Sequence, residues 1–362
     1  MERRRNLFIL NFNESRDNMD RFLTRLLLFV LLLGVVVIPV NVVIDPYNIF
    51  HADEIRDNGV EPNKNYIKTK FVIEHKDEYD SYLFGSSRAG FIDVSKLPDG
   101  NWYNLSYSEG IPAEQVDTLK ALIDNGEVPK QVYLSLDNIS YLVAPEYHEK
   151  QLYRKAFPFV GSVHDKIGFY TAYLDTITTL ESLSVIRNYD GDDEALQKRM
   201  YSTGCEDLDI RMEFDKNNTD AYWATYYLPR TEEAIAEIKE FCDICQAHDI
   251  KLTVFTNPMY ITTYEKSIRN GYLDFLEQLA SVTDYYNFSG YNRISMDDSY
   301  YFETSHFTPQ AADIIMDIMQ NGGNEDVILI QGFGKYVTAD NASEFIETLR
   351  FQAYTTGVLK AE

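Results

Sequence analysis

Two short motifs, more than two hundred residues apart, hold the side chains best suited to chemistry: Gly85-Ser86-Ser87-Arg88 and Glu303-Thr304-Ser305-His306. A serine hydroxyl is a poor nucleophile near neutral pH unless an imidazole takes its proton, and the imidazole works best when a carboxylate fixes its tautomer. Ser87, His306 and Glu303 supply one group of each kind, so the pattern points to acyl transfer through nucleophile, base and acid. Gly-Ser-Ser alone is a common turn sequence. It gains meaning from the acid placed three residues before a histidine at the far end of the chain.

Those groups need a scaffold that brings strand ends together. After residue 65 the sequence alternates short apolar runs with helical stretches, the pattern of a parallel α/β sheet. Strands are expected at 81–85, 102–105, 131–136, 251–257 and 284–288, and helices at 112–123 (stopped by Gly126), 232–248 and 272–280. Ser87 then follows the first strand, where backbone N–H groups at a helix start can stabilise negative charge. After His306, Thr308 stands as a cap before Pro309 and the apolar Ala311, Ala312, Ile314, Ile315 and Ile318, which places the histidine in a loop at a helix start. A strand-like 326–330 and a helix at 342–354 follow. Residues 140–230, rich in Tyr and Asp, have weak periodicity. Stretches this long within a compact domain are usually functional or carry small elements of their own. They read either as an insertion covering the site or as a peripheral elaboration.

The chain has 362 residues and a formal charge of -24, with 27 Tyr arguing against disorder. No basic run occurs after the first thirty residues, which makes nucleic acid an unsuitable partner. Three cysteines are too few for a disulfide framework. Cys242 and Cys245 have redox or half-zinc spacing but fall in a helical pattern without partner ligands, and read as ordinary helix positions. His51, His75, His148, His164 and His248 show no metal-ligand spacing. Neither a metal nor a diffusible cofactor is expected.

Residues 26–44 carry no charge and as a helix span about 28 Å, close to the hydrocarbon thickness of a bilayer. Gly34, Pro39 and Asn41 weaken the second half as a helix, though membrane helices tolerate such residues. The run is long for a signal peptide and no Ala-x-Ala site follows, so an uncleaved anchor is expected. Arg3, Arg4, Arg5, Arg16, Arg21 and Arg25 precede it, while Asp45, Asp53 and Glu54 follow. The positive-inside rule puts residues 1–25 in the cytoplasm and residues 45–362 outside.

Over residues 65–335 the chain resembles the SGNH (GDSL-type) hydrolases, in particular a membrane-anchored branch whose nucleophile motif reads Gly-Ser-Ser-Arg. Ser87 matches the nucleophile of the first block, and Glu303 and His306 match the Asp-x-x-His of the last, with Glu in place of Asp. Residues 285–290 are similar to the family's penultimate strand. The resemblance implies a three-layer α/β/α, flavodoxin-like domain and an oxyanion hole built from the Ser87 N–H and two further blocks. The second block matches residues 104–110, where either Glu109 or Gly110 takes the position of the N–H donor. The third matches Asp137-Asn138, where Asn138 is the side-chain donor. Arg88 either binds an anionic substrate group or, the preferred reading, pairs with Asp93.

Family members of this layout include bacterial hydrolases and acyltransferases of cell-envelope polymers, among them proteins of alginate acetylation and teichoic acid D-alanylation. The implied function is that of a membrane-anchored esterase or O-acyltransferase acting on a surface glycan or glycolipid, with a membrane acyl-donor protein as a possible partner. Glu109 in the oxyanion block and the imperfect third block leave a second reading open, a catalytically inactive envelope protein that binds a glycan or a biosynthetic partner.

Overall fold

The computed structural model describes residues 2–215, 224–322 and 332–360, apart from the side chains of residues 2–17. In chain order the helices are α1 (Glu2–Ile44), α2 (Lys64–Glu74), α3 (Pro112–Asp124), α4 (Ile139–Leu142), α5 (Pro145–His148), α6 (Val163–Ala172), α7 (Thr176–Asn188), α8 (Asp193–Met200), α9 (Thr231–Ala247), α10 (Ile261–Arg269), α11 (Tyr272–Leu279), α12 (Pro309–Asn321) and α13 (Ala342–Thr355). The strands are β1 (Ser81–Phe84), β2 (Trp102–Asn104), β3 (Gln131–Leu136), β4 (Lys251–Thr256), β5 (Tyr285–Asn287) and β6 (Lys335–Val337).

Among the described residues these strands form one six-stranded sheet in the order β2-β1-β3-β4-β5-β6, parallel throughout except for the antiparallel β6. The chain therefore folds as α/β around a mostly parallel sheet, with one apolar helix at its N-terminus. All five expected strands are present within a residue or two. The sixth, β6, was not expected: it is a three-residue edge strand with two exposed positions and no periodicity to betray it. The expected strand at 326–330 lies outside the described residues.

Parallel strands buried on both faces read as continuous apolar runs, and these do. Tyr82, Phe84, Val132, Leu134 and Val254 point into one apolar cluster with α3, α9 and α11. Leu83, Tyr133 and Phe255 point into another with α12. Cys245 is buried in the first cluster and Cys242 packs at its edge, both as free thiols. Burial pushes the Cys245 thiol up to about 12, so it serves as packing. Strand order reverses around β1, whose neighbours are β2 and β3. In open α/β sheets a crevice forms at such a reversal, outside the carboxyl ends of the strands.

α1 is the one helix among the described residues that is long and apolar enough to cross a membrane, over Asn18–Ile44. It runs unbroken through Pro39 and Asn41. Asn41 is fully buried because it is a docking group: its Nδ2 donates to Thr176 Oγ1 at 2.9 Å, and Thr179 Oγ1 donates to its Oδ1 at 2.6 Å. Directly after the helix, the Asp45 carboxylate accepts the backbone N–H groups of Ile49, Phe50 and His51 at 2.8–2.9 Å. The helix thus ends inside the domain. No flexible linker separates them.

Candidate active site

β1 delivers its carboxyl end to Gly85. A Cβ there would lie 2.8 Å from that of Ala89 and 2.9 Å from that of Ser135, so only glycine lets the chain turn at this point. The backbone then enters a 3-10 turn over Ser87–Phe91, and Ser87, at its first position, contributes one of the N–H groups that such a start leaves unpaired. Its hydroxyl meets His306 Nε2 at 2.8 Å. On the other side of the ring, His306 Nδ1 lies 2.5 Å from Glu303 Oε1. The carboxylate also accepts the backbone N–H groups of Ser305, at 2.6 Å, and His306, at 2.9 Å. Those two bonds fold the longer glutamate back onto its own loop, which is how it reaches a ring only three residues ahead. Thr308 occupies the N-cap position of α12, but its buried hydroxyl makes no cap bond; Pro309 and the extended Thr308 backbone start the helix without it.

Arg88 joins three loops. Its Nε donates to Ser305 O at 2.8 Å, its Nη1 donates to Asn138 Oδ1 at 2.6 Å, and Nη1 also stands 3.0 Å from Asp137 Oδ2. The expected pairing with Asp93 is replaced by this one. Asp93 instead caps a short turn by accepting the Ser95 N–H at 3.1 Å. With 3% exposure, Arg88 is a structural cross-brace; its polar atoms are already engaged, which leaves little for an anionic substrate. Burial alone would raise the Asp137 carboxyl, but the Arg88 charge and hydrogen bonds from Ser86 and Asn257 hold it below the usual range.

Of the oxyanion candidates, Gly110 is committed elsewhere: its N–H donates to Tyr107 O at 3.1 Å. A Cβ on it would meet the Gly85 carbonyl oxygen at 2.2 Å, so it is a glycine for packing. Glu109 has φ +53, a backbone region in which glycine is at ease, and its N–H has no hydrogen-bond partner among the described residues. Its carboxylate is drawn away by Arg154 Nη1 at 2.5 Å, Tyr226 at 2.9 Å and Tyr227 at 3.0 Å. Asn138 is buried, and because a guanidinium only donates, the atom facing Arg88 must be its oxygen. That leaves the Nδ2 donor without a partner among the described residues.

The cavity holding Ser87, Glu303 and His306 has a volume of about 380 Å³, and the long insertion supplies part of its wall through Arg154, Glu206, Met212 and Tyr227. No protein-family model matches this chain, and no curated protein matches it either. The case for the site therefore rests on its geometry. No motif announced Arg154 or Glu206, since neither has a neighbour in sequence that shares its task. Glu206 pairs with Lys64 across the wall; burial would raise its carboxyl, yet the Lys64 and Lys68 charges bring it down to about 2. Lys68 lies fully buried beneath, donating to Ser106 O at 2.6 Å, and desolvation lowers it to about 8. Among the described residues no cluster of His, Cys, Asp and Glu is arranged to hold a metal ion.

Proposed function

We propose that this chain is a serine esterase or O-acyltransferase of the SGNH (GDSL-type) kind, anchored in the membrane by α1 with its main domain outside, and acting on a cell-envelope glycan or glycolipid. The observation that carries the reading is the unbroken chain of contacts from Ser87 Oγ through the His306 ring to Glu303 in a cavity at the strand ends. His306 Nε2 takes the serine proton as Oγ attacks the acyl carbonyl, and Glu303 holds the tautomer with Nδ1 protonated. The tetrahedral oxyanion is met by the N–H groups of Ser87 and Glu109 and by Asn138 Nδ2. Collapse expels the alcohol, which receives the proton from His306, and leaves Ser87 acylated. Water or a sugar hydroxyl then gives its proton to His306 and takes the acyl group, and His306 returns that proton to the departing Ser87 Oγ.

The three-layer α/β/α arrangement belongs to the same reading and is supported by apolar clusters on both faces of the sheet. The arginines ahead of α1 support the outward orientation. The rival reading, a binding protein that keeps the fold, leaned on Glu109 in the oxyanion block; with the carboxylate engaged by Arg154 and two tyrosines, that objection loses force. The test is a fluorophosphonate probe on the full chain beside Ser87→Ala, with adducts mapped by mass spectrometry. An adduct on Ser87, absent from the variant, is expected. A folded wild type that stays unlabelled sinks the enzyme reading in favour of the binding one.

A further inference from the structure

The depth of α7 relative to the apolar span can be read from Asn41. This residue sits three positions before Ile44, the end of the span, hence about 4.5 Å back along the helix axis. Its side chain bonds to Thr176 and Thr179, in the first turn of α7. That turn therefore lies level with the last turn of the apolar span. The turn and the residue after it expose apolar groups, Ile177 at 71% and Leu180 at 51%, between the exposed carboxylates of Asp175 and Glu181. Side chains of this kind at this level suit the boundary between headgroups and acyl chains.

Beside α7 runs a groove of about 420 Å³ lined by Glu181, Ser182 and Val185 of that helix together with Tyr47, Tyr153 and Glu61. Tyr47 follows the end of α1 by three residues, so the groove begins at the same level. Glu61 also lines the cavity that holds Ser87, where Ser108 Oγ donates to its carboxylate. Groove and cavity thus share Glu61 as a border.

We infer that this groove is the membrane-facing mouth of the cavity, and that the substrate is borne on a lipid whose tail stays in the bilayer while its headgroup passes Glu61 to reach Ser87. The inference rests on the serine acyl-transfer reading for its chemistry and on α1 and α7 for its geometry. A soluble substrate would need no such path, because the cavity is also open to water.

The test uses the full chain in phosphatidylcholine nanodiscs and two probes with one warhead, a hexadecyl fluorophosphonate that partitions into the bilayer and a short polyethylene-glycol fluorophosphonate that does not. Ser182→Trp fills the groove at a distance from the triad. The alkyl probe is expected to label Ser87 at least about tenfold faster than the soluble one, and the variant to remove that advantage while leaving the soluble rate unchanged within about twofold. Equal rates for the two probes, or a variant that slows both alike or neither, overturns the inference. Should neither probe label Ser87, the serine reading fails by itself, and Leu180→Trp decides the placement. Fluorescence of the added tryptophan, taken as the difference from wild type, is then expected to be quenched by lipid brominated near the headgroup. Absence of quenching overturns the placement.

Discussion

The ends of the strands and the part of the insertion that packs on α2 hold their shape by different physics. Around Ser87, buried charge is fixed by directional bonds: Arg88 braces Asn138, Asp137 and Ser305, and Glu303 is folded onto its own backbone. Where the insertion meets α2, aromatic rings do most of the work. Tyr66 packs against Phe157, Phe169 and Tyr170 with ring centroids 5.0–6.2 Å apart, closing a cluster that includes Ile49 and Ile55 just after α1. Hydrogen bonds tolerate little displacement, whereas packed rings tolerate several arrangements of similar energy. The first region is built for placement of atoms, the second for adhesion.

The largest effect that can break this contrast lies at Glu303. Glu303→Gln removes the carboxylate that holds the imidazole tautomer, and a loss of about 10⁴ in acylation rate is expected, by analogy with the serine-protease triad. Single-turnover acylation by a chromogenic acetate ester would measure it, and a loss under tenfold would falsify the orienting role.

Next comes Arg88→Met, which strands a buried carboxylate and should cost about 3–5 kcal/mol in denaturant unfolding. Adding Asp137→Asn, which removes the stranded charge but keeps an oxygen for Ser86 and Asn257, should restore part of the stability but not the acylation rate, because Asn138 still lacks its brace. Recovery of both would mean that Arg88 matters for stability only.

A third prediction sets two buried cations against each other through pH. Lys68 is lowered to about 8 by burial, so between pH 8 and 10.5 the unfolded chain holds more protons and stability rises with pH. His148 is raised to about 9: burial opposes the shift, and Glu114 and Glu109 overcome it. Its contribution is full below pH 6.5 and lost as pH rises through 9. Each is worth up to about 3 kcal/mol. Lys68→Met should therefore remove a rise and His148→Gln a fall, seen as opposite tilts in stability against pH relative to wild type. Tilts of the same sign would refute the assignment.

The smallest effect expected is at Tyr66→Leu in the aromatic cluster, about 2 kcal/mol of stability. Acylation of a small soluble ester should be unchanged at temperatures where the variant is folded. A clear fall in that rate would erase the division between the two regions.

The same division explains what was legible in the sequence. Five strands were readable because a buried parallel strand is a continuous apolar run, whereas β6 owes its pairing to β5 and not to its own composition. Ser87, Glu303 and His306 were readable because each sits in a local motif, and the structure brings the three together. The partner of Arg88 was misread, since Asp93 is near in sequence while Asp137, on another strand end, is near in space. Arg154, Tyr226 and Tyr227 left no trace as a group: they converge on Glu109 from distant parts of the insertion. Pro39 and Asn41 counted against the helix until Asn41 was seen to bond to α7, a partner that helix propensity takes no account of.

The junction at Asn41 and Asp45 has a consequence for encounter. A domain tethered by a flexible linker samples a volume and meets its reactants according to their bulk concentration. Here the helix end and the domain are one piece, so a chain held in a bilayer by α1 carries its cavity at a fixed height and can only glide and spin about the membrane normal. The search of a chain so held, on the acyl-transfer reading, would be two-dimensional. Turnover would then scale with the number of reactant molecules per unit area of that surface, and dilution of the surrounding medium would leave it unchanged.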